Sequence, residues 1–245
     1  MRKFLCVLIV TGLTCTGWCY EITFKEKPAK IVSGQPVSIA FTVGTNQLEV
    51  IGGQQMHLVL VDLDLELFYH YFPAMEATGT FTQELIFPQD GRYLLYFYFK
   101  PALEPAVVKI VPLDVGKVVN KFGTIRMYLD NEKLSDDGNI IRFTAEPEEV
   151  REKTEVTFTF TIAELKSGKP VKNLLPHAGE GAQLVIINAA KNIYLQIQSE
   201  EQGAAAAGPG LHFKVTFPQK GIYKMWLEYR SKKTINTIPV MLQVN

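Results

Sequence analysis

At 245 residues, 47% hydrophobic, 20% charged and 11% aromatic, with 18 Gly and 13 Pro, the chain can bury one large core or two ordinary ones. It is neither collagen-like, low-complexity nor broadly disordered. Lys plus Arg equals Asp plus Glu at 25 each, and without Arg2 and Lys3 the balance is 23 against 25. A chain this close to neutral is a poor match to nucleic acid or an anionic membrane surface, both of which select strongly basic faces.

Residues 1–19 read as an export signal: Met1-Arg2-Lys3 is a short basic start, residues 4–13 are an apolar run, and residues 15–17 are small enough for a peptidase to cut. The run is too short to span a bilayer, which takes about 20 residues. No later stretch reaches that length without charges, so the mature chain is expected to be soluble outside the cytoplasm, in the periplasm, on the envelope or secreted. Cleavage after Gly17 or Cys19 decides whether Cys19 survives. A lipid anchor on Cys19 is disfavoured by Trp18, because lipidation wants a small residue there. Cys6 and Cys15 fall inside the signal, so no disulfide framework is available and cohesion has to come from burial.

The first strand pattern follows at residues 37–43, where Val37, Ile39, Phe41 and Val43 alternate with Ser38, Ala40 and Thr42 in the period of a half-buried strand. Residues 57–72 read as a hairpin with a four-residue connection at 62–65, which pairs Val61 with Glu66 and His57 with His70. The run from Tyr93 to Phe99 is too aromatic for a solvated edge and is expected to be a central strand buried on both sides or nearly so. Residues 117–130 read as an extended connector.

The same patterns then return. Phe24-Lys25-Glu26-Lys27-Pro28 and residues 37–43 match Phe143-Thr144-Ala145-Glu146-Pro147 and residues 156–162. Residues 57–72 match 183–198, and Phe87-Pro88-Gln89-Asp90-Gly91-Arg92-Tyr93 matches Phe217-Pro218-Gln219-Lys220-Gly221-Ile222-Tyr223. The three offsets are 119, 126 and 130, growing only in turns, as loops tolerate length change and cores do not. Short strands bounded by Gly, Pro and Asn, without helical periodicity, predict an all-β chain of two antiparallel sandwiches. The expected division is a signal at 1–19, domains at 20–111 and 139–245, and a connector at 112–138. Gly91-Arg92-Tyr93 and Gly221-Ile222-Tyr223 fit the tyrosine corner of immunoglobulin-like sandwiches, so Gly91, Tyr93, Gly221 and Tyr223 are assigned structural roles.

Chemistry is sparse. Opposed residues on one hairpin face bring two imidazoles close enough to share a transition metal, so His57 and His70 are the candidate ligands. A third would have to come from Met75, Glu76, Asp62 or His177. Gly179-Glu180-Gly181 precedes a strand and so lacks the helix end that binds phosphate. Glu200-Glu201 and Asp136-Asp137 are adjacent pairs whose side chains point apart and read as turns. The glycine- and alanine-rich stretch 203–210 reads as a surface loop. No nucleophile with a partnered base can be assembled, so no enzymatic activity is expected.

His57-Leu58-Val59-Leu60-Val61, Tyr69-His70-Tyr71-Phe72-Pro73 and the Phe-Pro-x-x-Gly-x-Tyr turn at 87–93 resemble bacterial secreted immunoglobulin-like proteins related to the YtkA-like group. That resemblance implies an envelope protein, associated in some members with copper. Phe72 stands where the pattern would have a second histidine, and the second copy has Gln183, Gln196 and Gln198 at the three positions. The leading expectation is an exported, non-enzymatic binding or scaffolding protein with an envelope protein or polysaccharide as partner. The alternative is a periplasmic metal-handling protein, copper before zinc, using His57 and His70, with no other cofactor.

Overall fold

The computed structural model describes residues 20–45, 47–76, 79–118, 125, 132–172, 174–175, 177, 181–201, 210–231 and 233–245. Residues 1–19, read from the sequence as an export signal, most of the 117–130 connector, Gly179, Glu180 and the 203–209 stretch lie outside them. Among the described residues every element is a β-strand, every pairing is antiparallel, and no helix is long and apolar enough to cross a membrane.

The first half contains β1 (Thr23–Glu26), β2 (Pro36–Thr42), β3 (Leu48–Glu49), β4 (Met56–Asp62), β5 (Phe68–Tyr71), β6 (Ala74–Met75), β7 (Phe81–Ile86), β8 (Gly91–Pro101) and β9 (Val107–Val115). One sheet runs β1-β2-β7-β6. The other runs β5-β4-β8-β9, with β3 against the end of β8. The second half contains β10 (Glu132–Leu134), β11 (Asn139–Glu146), β12 (Glu155–Glu164), β13 (Leu174–Leu175), β14 (Gln183–Asn188), β15 (Tyr194–Gln198), β16 (Gly210–Thr216), β17 (Gly221–Ser231) and β18 (Thr234–Val244). Its sheets run β10-β11-β12-β16 and β15-β14-β17-β18, with β13 beside the end of β17. Both halves are immunoglobulin-like antiparallel sandwiches. β9 continues to Val115, and β10 pairs with β11, so strands reach into both ends of the stretch read from sequence as a connector.

Alternation builds each core. Ile39 and Phe41 on β2 meet Leu58 and Leu60 on β4 and Leu95 and Phe97 on β8. Phe41 stands edge-on to Phe97 at 4.9 Å and stacks on Phe81 at 5.6 Å. Phe160 is the matching centre of the second core, 5.1 Å from Phe143 and 5.8 Å from Phe213. Each such ring is buried, and burial of a side chain of this size stabilises by roughly 1.5–3 kcal/mol.

β4 and β14 are buried at every position, without alternation. Their second faces are covered because the β5-β4-β8-β9 sheet of one half packs against the β15-β14-β17-β18 sheet of the other. Val59, Val61, Leu65 and Tyr96 form one apolar cluster with Val185, Ile187, Tyr194 and Trp226. The contacts are reciprocal: Phe68 stacks on Trp226 at 4.6 Å, and Tyr194, the repeat counterpart of Phe68, stacks on Tyr96, the counterpart of Trp226, at 5.4 Å. Equivalent ends of the two sandwiches therefore lie on the same side. The outer edges, β9 and β18, each carry a proline, Pro112 and Pro239, which removes a ladder donor where a stray strand would add on.

At the first residue of β8, Gly91 has φ 154°, and at the first residue of β17, Gly221 has φ 141°, conformations open to glycine alone at little cost. Tyr93 and Tyr223 each pack edge-on to the phenylalanine that begins the turn, Phe87 and Phe217.

Candidate functional site

The hairpin register differs from the sequence expectation. Val61 pairs with Phe68 and Val59 with His70, so the connection between paired residues is six long, 62–67, rather than four. Asp62 causes this: its carboxylate accepts the backbone N–H groups of Glu66 and Leu67 at 2.8 and 3.1 Å and holds a wider turn. A shift of two residues keeps every side chain on its face, since strand side chains alternate with period two. His57 and His70 therefore still share a face and meet diagonally, with Nδ1 of His57 3.0 Å from Nε2 of His70.

That face is the one buried against the second half. His57 and Gln183 have no exposed surface, and the side chains of His70 and Glu228 are 1% and 5% exposed. His57 donates its Nε2–H to the Ile51 carbonyl at 2.8 Å, which leaves the lone pair on Nδ1 to accept from Gln196 Nε2 at 3.0 Å. His70 donates its Nδ1–H to Glu228 Oε2 at 2.6 Å, and Gln183 Nε2 donates to the same oxygen at 2.9 Å. Gln196 also donates to Gln183 Oε1 at 3.0 Å and accepts the Tyr194 hydroxyl at 2.6 Å. Burial, helped by neighbouring His70, pushes the His57 imidazole down to about 4. Burial and then Glu228 raise the Tyr194 phenol well above its ordinary value.

Four of these residues form a square with the symmetry of the repeat. His57 and His70 correspond to Gln183 and Gln196; His57 touches Gln196, and Gln183 Nε2 lies 3.2 Å from His70. The offset of 126 between the halves placed both glutamines at histidine positions, a signal that they face the imidazoles. Glu228 had a fainter one: a carboxylate inside the apolar run Met225-Trp226-Leu227-Glu228-Tyr229.

The other sequence candidates do not converge here. Asp62 caps its turn at the far end of β4, and Met75 is exposed on β6. Glu76 donates its backbone N–H to Thr80 O at the opposite end of that loop. His177 is buried against Phe72 at 6.0 Å, with its Nε2 lacking a hydrogen-bond partner among the described residues, and burial lowers its pKa. Among the described residues no group of three His, Cys, Asp or Glu side chains is arranged to hold a metal. The donor set suits an ion only in part. His57 Nδ1 and His70 Nε2 are close enough to chelate, with their outer nitrogens anchored on a carbonyl and a carboxylate as in metal-binding histidines. The Phe72 ring, 4.7 Å from His70 and 5.5 Å from His57, takes the place of a further donor.

Glu200, Glu201 and Asp137 hold loops. Glu201 accepts the His212 backbone N–H at 2.9 Å, Glu200 pairs with Lys214, and Asp137 accepts from Asn139 Nδ2 at 2.8 Å and Asn236 Nδ2 at 3.2 Å.

Among solved structures, the chain is similar to the FdeC adhesin of Escherichia coli, at 17% identity over 92% of this chain and 63% of that one, with TM-score 0.29. It is similar to a Salmonella alpha-2-macroglobulin mutant at 11% identity over 98% and 16%, TM-score 0.31. It is also similar to invasin, described as a bacterial integrin-binding protein, at 11% over 92% and 39%, TM-score 0.28. The chain spans less than two thirds of the length of each. No curated protein matches it in sequence. The family described as Domain of unknown function (DUF8832) matches residues 15–116 and 132–245, one segment on each sandwich, and the chain belongs to that family.

Proposed function

We propose that this is an exported, non-enzymatic binding protein of the cell envelope or extracellular space, which meets an envelope protein or polysaccharide through the loops at one end of its paired sandwiches. The observation that carries this reading is that four of the exposed aliphatic side chains gather at one end, while others, such as Val32 and Ile86, stand apart from it. Val50 is 64% exposed just after β3, Leu103 98% in the β8–β9 turn, Leu165 51% after β12, and Leu175 40% on β13. All four lie at the end where β4 and β14 begin, beyond His57 and Gln183. One broad face of each half is occupied by the other, and the outward positions of the β1-β2-β7-β6 and β10-β11-β12-β16 sheets are largely polar, which leaves the loop ends as the surface that gathers exposed aliphatic side chains. The test is capture from native envelope with the mature protein as bait, beside a Val50→Ser, Leu103→Ser variant of equal thermal stability. A partner retained by the parent and lost by the variant supports the reading; identical captures overturn it.

A second reading, an ion seat for copper or zinc at His57 and His70, is favoured by the anchoring of both outer imidazole nitrogens. Titration with Cu(I), Cu(II) and Zn(II) separates the two: stoichiometric binding lost in a His57→Ala, His70→Ala variant supports the seat, and no binding by the parent retires it.

A further inference from the structure

The reciprocal apolar contacts between the halves would serve two copies of the same half equally well. Phe68 on Trp226 and Tyr194 on Tyr96 are one contact made twice, and a self-complementary face of this kind is what joins like subunits in two-fold dimers. The charged groups break that equivalence. Glu228, which accepts from His70, corresponds to Tyr98 in the first half. Lys224, whose Nζ lies 3.3 Å from Glu66, corresponds to Leu94, and Glu66 corresponds to Asn192.

Pairing two first halves would gather four imidazoles on the axis with no carboxylate and set Glu66 against Leu94. Pairing two second halves would bury two Glu228 carboxylates among glutamines and set Lys224 against Asn192. Only the unlike pairing gives buried Glu228 and Lys224 their partners and the His70 Nδ1–H an acceptor. A buried charge without a partner is strongly unfavourable, and discrimination of this kind works by penalising the wrong partner as much as by rewarding the right one.

We infer that the Glu228–His70 and Lys224–Glu66 pairs select the partner: they make the inner face of each half complementary to the other half of the chain and reject a second copy of itself. The occupant of each face is therefore the unlike half, which the same chain supplies. The charged pairs keep like halves of neighbouring chains from joining face to face.

The experiment is light scattering on the full mature chain over a wide concentration range. It compares the parent with a His70→Gln, Glu228→Tyr variant, in which both residues take their repeat counterparts, and with Glu228→Gln, which keeps the size of the side chain and an amide oxygen. The parent is expected to stay monomeric, and the double variant to self-associate at least about tenfold more tightly. A double variant that keeps the parent's β-sheet circular dichroism and remains as monomeric as the parent overturns the inference, as does a parent that associates as readily as the variant. If the double variant does not fold, Glu228→Gln decides: association above the parent's supports the inference, and association equal to it overturns it.

Discussion

His57 Nδ1 stands 3.0 Å from His70 Nε2 although the residue across the ladder from His70 is Val59. The imidazoles meet on the diagonal of the hairpin, within the reach of long side chains two residues out of register. Their face is dry because the second half covers it, and this burial governs how the pair responds to acid, to truncation and to metal.

Acid should weaken the fold through His57. The buried imidazole titrates near 4 rather than 6.5, so the unfolded chain takes up its proton first. The stability tied to neutral His57 is complete above pH 6.5, falls as pH drops from there, and is gone below about 4. Its size is at most about 3 kcal/mol. Buried His177 is shifted in the same direction and adds to the trend. Urea midpoints measured across this window should fall with pH, and more gently in His57→Gln; parallel profiles would remove His57 as the cause.

Glu228 should be costly to truncate. In Glu228→Ala, His70 Nδ1 and Gln183 Nε2 lose their shared acceptor inside a dry interface, and unfolding should become easier by about 3–5 kcal/mol. Glu228→Gln keeps an acceptor oxygen and should lose less. Trp226 is the one tryptophan in residues 20–245 and lies in this interface, so its fluorescence reports the change. A Glu228→Ala variant as stable as the parent would count against the network.

The Tyr93 hydroxyl donates to Gln89 O at 2.8 Å, and the Tyr223 hydroxyl to Gln219 O at 2.7 Å. Tyr93→Phe and Tyr223→Phe should each cost about 1–3 kcal/mol. Scanning calorimetry should show a lower Tm for both, and unchanged curves would mean that these bonds do not support the turns.

Phe72→His should make a metal site where the parent has two thirds of one. The new imidazole would stand where the ring now lies, beside His70 and His57. Calorimetric titration with Cu(II) or Zn(II) should show binding at least about tenfold tighter than in the parent. No gain would mean that Phe72 is not what limits the donor set.

The strands and the duplication are legible in the sequence because both follow from local alternation and from recurrence of the same turn residues. The hairpin is legible only in part. Its faces are correct at either register, but its connection depends on Asp62 capping Glu66 and Leu67, an interaction that alternation does not encode.

By itself the sequence determined an all-β chain built twice over, with Phe41 and Phe160 turned inward, since side chains on a strand are sorted by a period of two whatever lies beyond. Only the tertiary structure decided what covers the outer faces of β4 and β14. A run such as Val59 to Val61 says that both faces are dry without naming the cover, and a lone glutamate in an apolar strand says that a hydrogen-bond donor is needed without saying which. Packing one sandwich on the other answers both at once: it closes Val59 and Val61 against Val185 and Trp226 and brings His70 to Glu228, 158 residues away along the chain.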